Sequence, residues 1–254
     1  MLQHLNVGLQ LALIINKMSF LLYPTIKQAP MSGLLGLGGG IARARGSASS
    51  GFDNALYAFS GNNTSSDETG NGNSVTAPSG FSTTEKKWAS YTHSFRVNGS
   101  GYSRVETPTF SITGEWSVEF WCYATNWAGN YLLTSGAEGD NPSGPAINVQ
   151  NNEFRTYAGF YSVGQQNYNT TTSNFLNQWN FWQIYRNGNS VRYVLNGTQI
   201  TNCSGNATKI SHMVFGNKQS NDNFPITGYF NDIVVYEGGA SRGQVSVPTT
   251  PFGL

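Results

Sequence analysis

The sequence predicts an all-β protein: a sandwich of two stacked antiparallel sheets, preceded by an extended N-terminal arm. Three observations carry that expectation. From about residue 53 onward, short apolar or alternating runs are separated by clusters of Gly, Asn, Ser and Thr, the pattern of short strands joined by turns. No stretch of this part keeps the roughly 3.6-residue apolar period of a helix over a useful length. Two Asn-Gly dipeptides, Asn187-Gly188 and Asn196-Gly197, stand nine residues apart in NGNSVRYVLNGTQI. Such pairs tolerate the positive φ that tight hairpin turns demand, so two of them fold three strands into a meander.

The bulk numbers bound the function. A chain of 254 residues suits one large domain with a tail and needs no disulfide or metal staple. The 14 Lys and Arg nearly balance 13 Asp and Glu, so no basic field exists to hold a phosphate backbone, and nucleic acid is excluded as a partner. Aromatic residues make up 13%, which with the Asn, Gly, Ser and Thr favours β structure with a neutral, hydrogen-bonding surface. Cys122 and Cys203 are expected as free, partly buried thiols, although spacing does not decide against one bridge. The sequons at Asn98, Asn169 and Asn196 are as expected by chance in so Asn-rich a chain, and Asn196 is needed for its turn.

Residues 1–52 read as the arm. The apolar run Leu9 to Ile15 is broken by Asn16-Lys17 and falls short of the roughly 20 residues of a membrane span. It lacks the basic start and clear cleavage site of a signal peptide, and Met18 and Met31 are alternative starts to Met1. Between Met31 and Gly51 the composition is Gly, Ala, Ser and Leu without helix or strand period. GLGGG is no phosphate loop, because no Lys-Ser or Lys-Thr follows it. Such a segment suits either an arm that orders against a partner or a disordered leader.

Residues 53–254 read as one domain. NALYAF opens it as a strand, followed by the polar loop GNNTSSDETGNGNS. HSFRVNGSGYSRVE reads as a hairpin about Asn98-Gly99. SVEFWCYA sets Val118, Phe120 and Cys122 on one face against Glu119, Trp121 and Tyr123 on the other. NYLLTSG, PAINVQ and NEFRTYAGFY follow as strands, then the meander WNFWQIYR, SVRYVL and TQIT. In the meander Tyr185 and Val191 are expected on one side, Ile184 and Val194 on the other; a sheet apolar on both faces must be covered on both. The last strand, ITGYFNDIVVYEG, alternates Tyr229, Ile233 and Val235 with Phe230, Val234 and Tyr236.

Catalytic chemistry finds little support. Glu115 and Glu119 share a strand face, but four residues at roughly 3.3 Å each part them by about 13 Å, beyond the roughly 5–9.5 Å a glycosidase pair uses. No Gly-x-Ser-x-Gly elbow occurs, and His4, His93 and His212 are scattered. No enzyme is expected. Calcium is the one cofactor the sequence leaves open, through the loop carboxylates Asp67, Asp140 and Asp222. Sugar recognition uses aromatic faces and planar amides, and two loops carry them. TNWAGNY supplies Trp127 and Tyr131; YSVGQQNYNTTTSN supplies Tyr161, Asn167 and Tyr168. With Asn221, these form the candidate carbohydrate site.

The order of these segments resembles the laminin-G-like branch of the concanavalin A-like lectin/glucanase superfamily, in the form found on bacteriophage virion proteins. The resemblance rests on ALYAFSGNNTSSDETGNGNSVTA, SFRVNGSGYSRV, WSVEFWCYA, WNFWQIYRNGNSVRYVLNG, GYFNDIVVYEGGA and the ending VPTTPFGL, covering about residues 53–254. It implies a jelly-roll sandwich and a non-enzymatic structural role on a capsid or tail. The arm would contact other virion proteins, a host polysaccharide would be the ligand, and the chain would form a homo-oligomer. A decoration protein without ligand is the alternative, with a glucanase-like glycoside hydrolase or a secreted adhesin behind it. Two departures weaken an inherited calcium site: Asn98 and Ser100-Gly101 stand where many relatives carry acidic groups, and Asn231 replaces the first Asp of an Asp-Asp pair.

Overall fold

The computed structural model describes residues 55–252, apart from 63, 128, 137–143, 160–163, 205–209, 219–223 and 239–242. The expected arm, residues 1–52, lies outside the described residues. Fourteen strands occur among them. In chain order these are β1 Ala55–Phe59, β2 Phe81–Ser82, β3 Ser94–Asn98, β4 Val105–Glu106, β5 Trp116–Asn126, β6 Asn130–Ser135, β7 Ala146–Gln150, β8 Glu153–Tyr157, β9 Gln166–Asn169, β10 Trp179–Asn187, β11 Ser190–Leu195, β12 Thr198–Ser204, β13 Met213–Phe215 and β14 Thr227–Glu237. All pairings are antiparallel. The large sheet runs β12-β11-β10-β5-β14-β3-β2, with β1 also on β14; the small sheet runs β4-β13-β6-β7-β8-β9. The two-sheet, all-β expectation holds.

The core lies between the sheets. Val118, Phe120 and Cys122 of β5 face into it, as their alternation predicted. Phe154 of β8 is a hub: its ring centroid lies 5.3 Å from Trp127, 5.6 Å from Phe175 and 5.1 Å from Trp182. Edge-on packing of this kind suits the ring quadrupoles. Cys122 and Cys203 are buried free thiols. Burial pushes the Cys122 thiol well above its ordinary range and that of Cys203 up to about 11, leaving both inert.

Three local readings are corrected. The first meander turn is Gly188-Asn189, since Asn187 still pairs with Ser190. Only Gly188 of that pair has positive φ, whereas Asn196 and Gly197 both do, at 49° and 79°. These are the patterns of type II′ and type I′ loops. Ile184 and Val191 consequently face the core together, and Tyr185 and Val194 belong to the outer face, contrary to the expected grouping.

In β14 the register shifts between Asn231 and Val234, and Asp232 takes φ 52°. This bulge inserts one residue and reverses the parity. Phe230 therefore joins Ile233 and Val235 in the core, while Tyr229 drops to the other face. Finally, β3 and β4 form no hairpin: β3 pairs with β14 and β4 with β13, in different sheets. Asn98 accepts at Oδ1 from the backbone N–H of Ser100 (3.1 Å), an Asx turn that carries the chain across the sandwich edge.

The outer face of the large sheet is closed by the chain itself. Gln183 donates to the Gly243 carbonyl (2.8 Å) and accepts from the Val245 N–H (3.1 Å), strapping the C-terminal stretch over β10. Phe252 packs on Ala55, Ala58, Val234 and Tyr236. At the other end Lys87 sets its ammonium 3.6 Å from the Trp121 ring centroid.

Beneath this segment lies Asp232, fully buried, accepting from Trp88 Nε1 and Tyr91 OH at 2.5 Å each. Burial pushes its carboxyl up to about 7, against the downward pull of these two donors. Asn231 donates to the Ser60 carbonyl (2.7 Å) and accepts from the Lys87 N–H (3.0 Å), so the acid-to-amide departure serves a structural bond network.

Candidate functional site

The outer face of the small sheet is built differently. Strands β7 and β8 bury Ile147, Val149 and Phe154 inward, so the alternate residues Asn148, Gln150, Glu153 and Arg155 face outward. A tight turn at Asn151 and Asn152, both at positive φ (54° and 62°), fixes this register. Pairing then aligns Tyr131, Asn148, Arg155 and Asn167 in one row across four strands.

At one end of the row opens a cleft of about 310 Å³, lined by Gly129, Tyr131, Asn148, Gln150, Tyr157, Lys218 and Phe224. Tyr131 and Phe224 pack edge to face, 6.0 Å between centroids, and the Tyr131 N–H donates to the Phe224 carbonyl (3.2 Å). Phe224 is 38% exposed, one of two large apolar side chains exposed among the described residues.

The amides of the cleft are oriented by bonds they already make. Asn148 commits Nδ2 to the Asn130 carbonyl (3.1 Å), which leaves Oδ1 as its acceptor. Gln150 accepts at Oε1 from Arg155 Nη1 (2.7 Å), which leaves its Nε2 as a donor. A donor, an acceptor and a lysine thus line the cleft with one exposed ring, Phe224, and two largely buried ones, Tyr131 at 6% and Tyr157 at 5%. Planar amides beside an aromatic face are the mixture that fixes hydroxyls over an apolar sugar face. A larger cavity, about 880 Å³, lies at the β4 edge of the same sheet. Its aromatic lining is the buried Phe110 and the His212 imidazole, and its acid Glu106 is paired to Arg104 at 2.6 Å. We favour the smaller cleft, because its polar groups converge with exposed aromatic surface.

Of the residues the sequence proposed, Tyr131 lines the cleft and Asn167 lies exposed in the same row, accepting from Gln165 Nε2 (2.9 Å). Trp127 belongs elsewhere: it is 2% exposed and packed in the core against Phe154, so it offers no face to a ligand. Tyr168 is half-buried with its ring turned inward onto the core. Tyr161, Asn221, Asp140 and Asp222 lie outside the described residues. Asp67 is buried, and its Oδ1 accepts from the Ala58 and Thr69 N–H groups while Oδ2 accepts from the Thr69 hydroxyl. This carboxylate organises its own loop rather than presenting itself to a metal. No group of three or more His, Cys, Asp or Glu that could hold a metal occurs among the described residues.

Asn148, Gln150, Tyr157, Lys218 and Phe224 were not proposed from sequence. The polar alternation in AINVQ and EFRTY was the available signal for the first three. Of the two strand carboxylates tested for catalysis, Glu119 is fully buried with Gln183 donating to it (3.3 Å), and Glu115 accepts from the Gly188 N–H (3.2 Å).

A family model described as the concanavalin A-like lectin/glucanases superfamily (Laminin_G_3) matches residues 97–246. The match covers more than half of the chain, which belongs to this superfamily. No curated protein sequence matches it. Among solved structures, the binding domain of Paraclostridial Mosquitocidal Protein 1 superposes with a TM-score of 0.56 at 16% identity, over 76% of this chain and 51% of that one. Botulinum neurotoxin type C, from a study of cell entry through two ganglioside molecules, gives 0.55 at 18% identity, over 72% and 48%. Domain 4 of AbnA, a GH43 extracellular arabinanase from Geobacillus stearothermophilus in complex with arabinotriose, gives 0.51 at 15% identity, over 72% and 92%. The chain spans about half the length of the toxin domains it matches. At these identities the likeness is one of fold, and the fold is that of lectin-like binding domains.

Proposed function

We propose that this protein is a non-enzymatic, lectin-like module that binds a host-surface glycan in the cleft between Tyr131, Phe224 and Gln150. The observation that carries the reading is the cleft itself, where the exposed Phe224 ring and two pre-oriented amides converge on an outward face. The ganglioside and arabinotriose named for two of the similar structures support a sugar ligand. The sequence resemblance to phage versions of the domain supports a place on a virion capsid or tail. There, residues 1–52 would contact other virion proteins and identical copies would assemble side by side.

Binding of the full chain to a panel of surface polysaccharides, with calcium and with chelator, tests this. Saturable binding that Phe224→Ala and Gln150→Ala each weaken tenfold or more, with folding unchanged, is the expected result. An absence of binding to every glycan would leave a decoration protein without ligand. Calcium-dependent binding would return Asp140 and Asp222 to consideration as metal ligands.

A further inference from the structure

The cleft holds an uncommitted cation, and an exposed tyrosine stands on a loop bonded to the segment that carries it. Among the described residues two large apolar side chains are exposed, Phe224 at 38% and Tyr102 at 73%. They come from loops far apart in sequence, yet named bonds tie these loops together.

Asn217, fully buried, donates to the Gly101 carbonyl (2.8 Å) and accepts at Oδ1 from the Lys218 N–H (2.7 Å). Tyr102 follows Gly101 and Lys218 follows Asn217, so one buried amide anchors both neighbours. The Ile226 N–H donates to the Gly216 carbonyl (2.9 Å), and Thr227 pairs with Asn98. Close packing holds the junction: at Gly99, φ +75°, a Cβ would lie 2.5 Å from Thr227 Oγ1. Segments 98–103, 216–218 and 224–227 thus form one supported rim.

Charge on this face is unevenly spent. Arg155 is paired to Glu153 (3.4 Å) and bonded to Gln150. At the β4 edge of the same sheet Arg104 is paired to Glu106. Lys218 lines the cleft, and among the described residues its ammonium has no ion-pair partner. A lysine beside an exposed ring matches a sugar whose apolar face stacks while its acidic substituent meets the charge.

We infer that Tyr102, Lys218 and Phe224 form an acid-reading subsite, so that the ligand is a glycan bearing an anionic group, a carboxylate or a sulfate, on one ring. The neighbouring sugar would then lie over Asn148 and Gln150. This deepens the glycan-binding reading and rests on it.

The test is a glycan array of neutral, sialylated, uronate-bearing and sulfated oligosaccharides, probed with the full chain and with Lys218→Gln, Lys218→Arg and Tyr102→Ala. Binding confined to anionic glycans is expected. It should weaken tenfold or more in Lys218→Gln, hold largely in Lys218→Arg, weaken several-fold in Tyr102→Ala, and decline as salt is raised. Whether the carboxylated or the sulfated set binds identifies the anion. Neutral glycans bound as tightly as anionic ones, or binding unchanged in Lys218→Gln, would overturn the acid-reading subsite and leave the cleft standing. No glycan bound by the parent chain would overturn both.

Discussion

The two outer faces of this sandwich make an instructive pair. On the large sheet, Phe181, Gln183 and Tyr185 alternate with core residues and are themselves buried. They need a cover, and the chain's own C-terminal stretch and the segment around Trp88 supply it. On the small sheet the corresponding positions are Asn148, Gln150, Glu153 and Arg155, which tolerate water and leave the face open toward a cleft. Both sheets have one apolar side facing the core; the second side decides whether a face is structure or surface. Apolar residues there draw in a strap, whereas polar ones leave room for a ligand.

The comparison can be broken most severely at the core. Trp127→Ala should destabilise the domain by about 3–5 kcal/mol in denaturant unfolding, because the ring is buried against Phe154. A loss below about 1 kcal/mol would restore Trp127 to the rim.

Next in size is the pH response of the closed face. Asp232 is raised from an ordinary 3.8 to about 7 by burial, so the native state holds its proton where the unfolded chain has released it. Stability from this group is complete below about pH 4, is lost as pH rises toward 7, and is constant above that; the total is on the order of 4 kcal/mol. Unfolding of Asp232→Asn across pH 4–8 should lack that component. Parallel pH curves for variant and parent would contradict it.

Smaller again is Gln183→Ala, which removes the bonds to Gly243, Val245 and Glu119. It should cost about 1–3 kcal/mol and raise hydrogen exchange over residues 243–252, with glycan binding intact. Phe224→Ala on the open face should change stability least, within about 0.5 kcal/mol, while binding falls.

Sequence alone made the architecture legible and the site only partly so. Turn residues at Asn196-Gly197 and the alternation in SVEFWCYA express local rules, which the fold obeys. The bulge at Asn231-Asp232 was hidden, because nothing in GYFNDIVVYEG shows that one extra residue will be accommodated and the parity reversed. Trp127 and Tyr168 were misplaced for a related reason: aromatics in polar loops look alike whether they cap a core or a ligand. Asn148 and Arg155 were overlooked because a row across strands exists only once register is fixed. The loops that carry Lys218 and Tyr102, more than a hundred residues apart, are joined by the Asn217 side chain, a bond that exists only once the chain is folded.

The most direct test of which face is surface is amide chemical-shift mapping of the full chain during titration with the tightest glycan from the array. Shifts concentrated at Gly129, Tyr131, 148–150, Tyr157, Lys218 and Phe224 are predicted, with β10, β11 and residues 243–252 unmoved. Shifts centred on β10, β11 and the C-terminal strap would contradict the account and make the closed face the binding one.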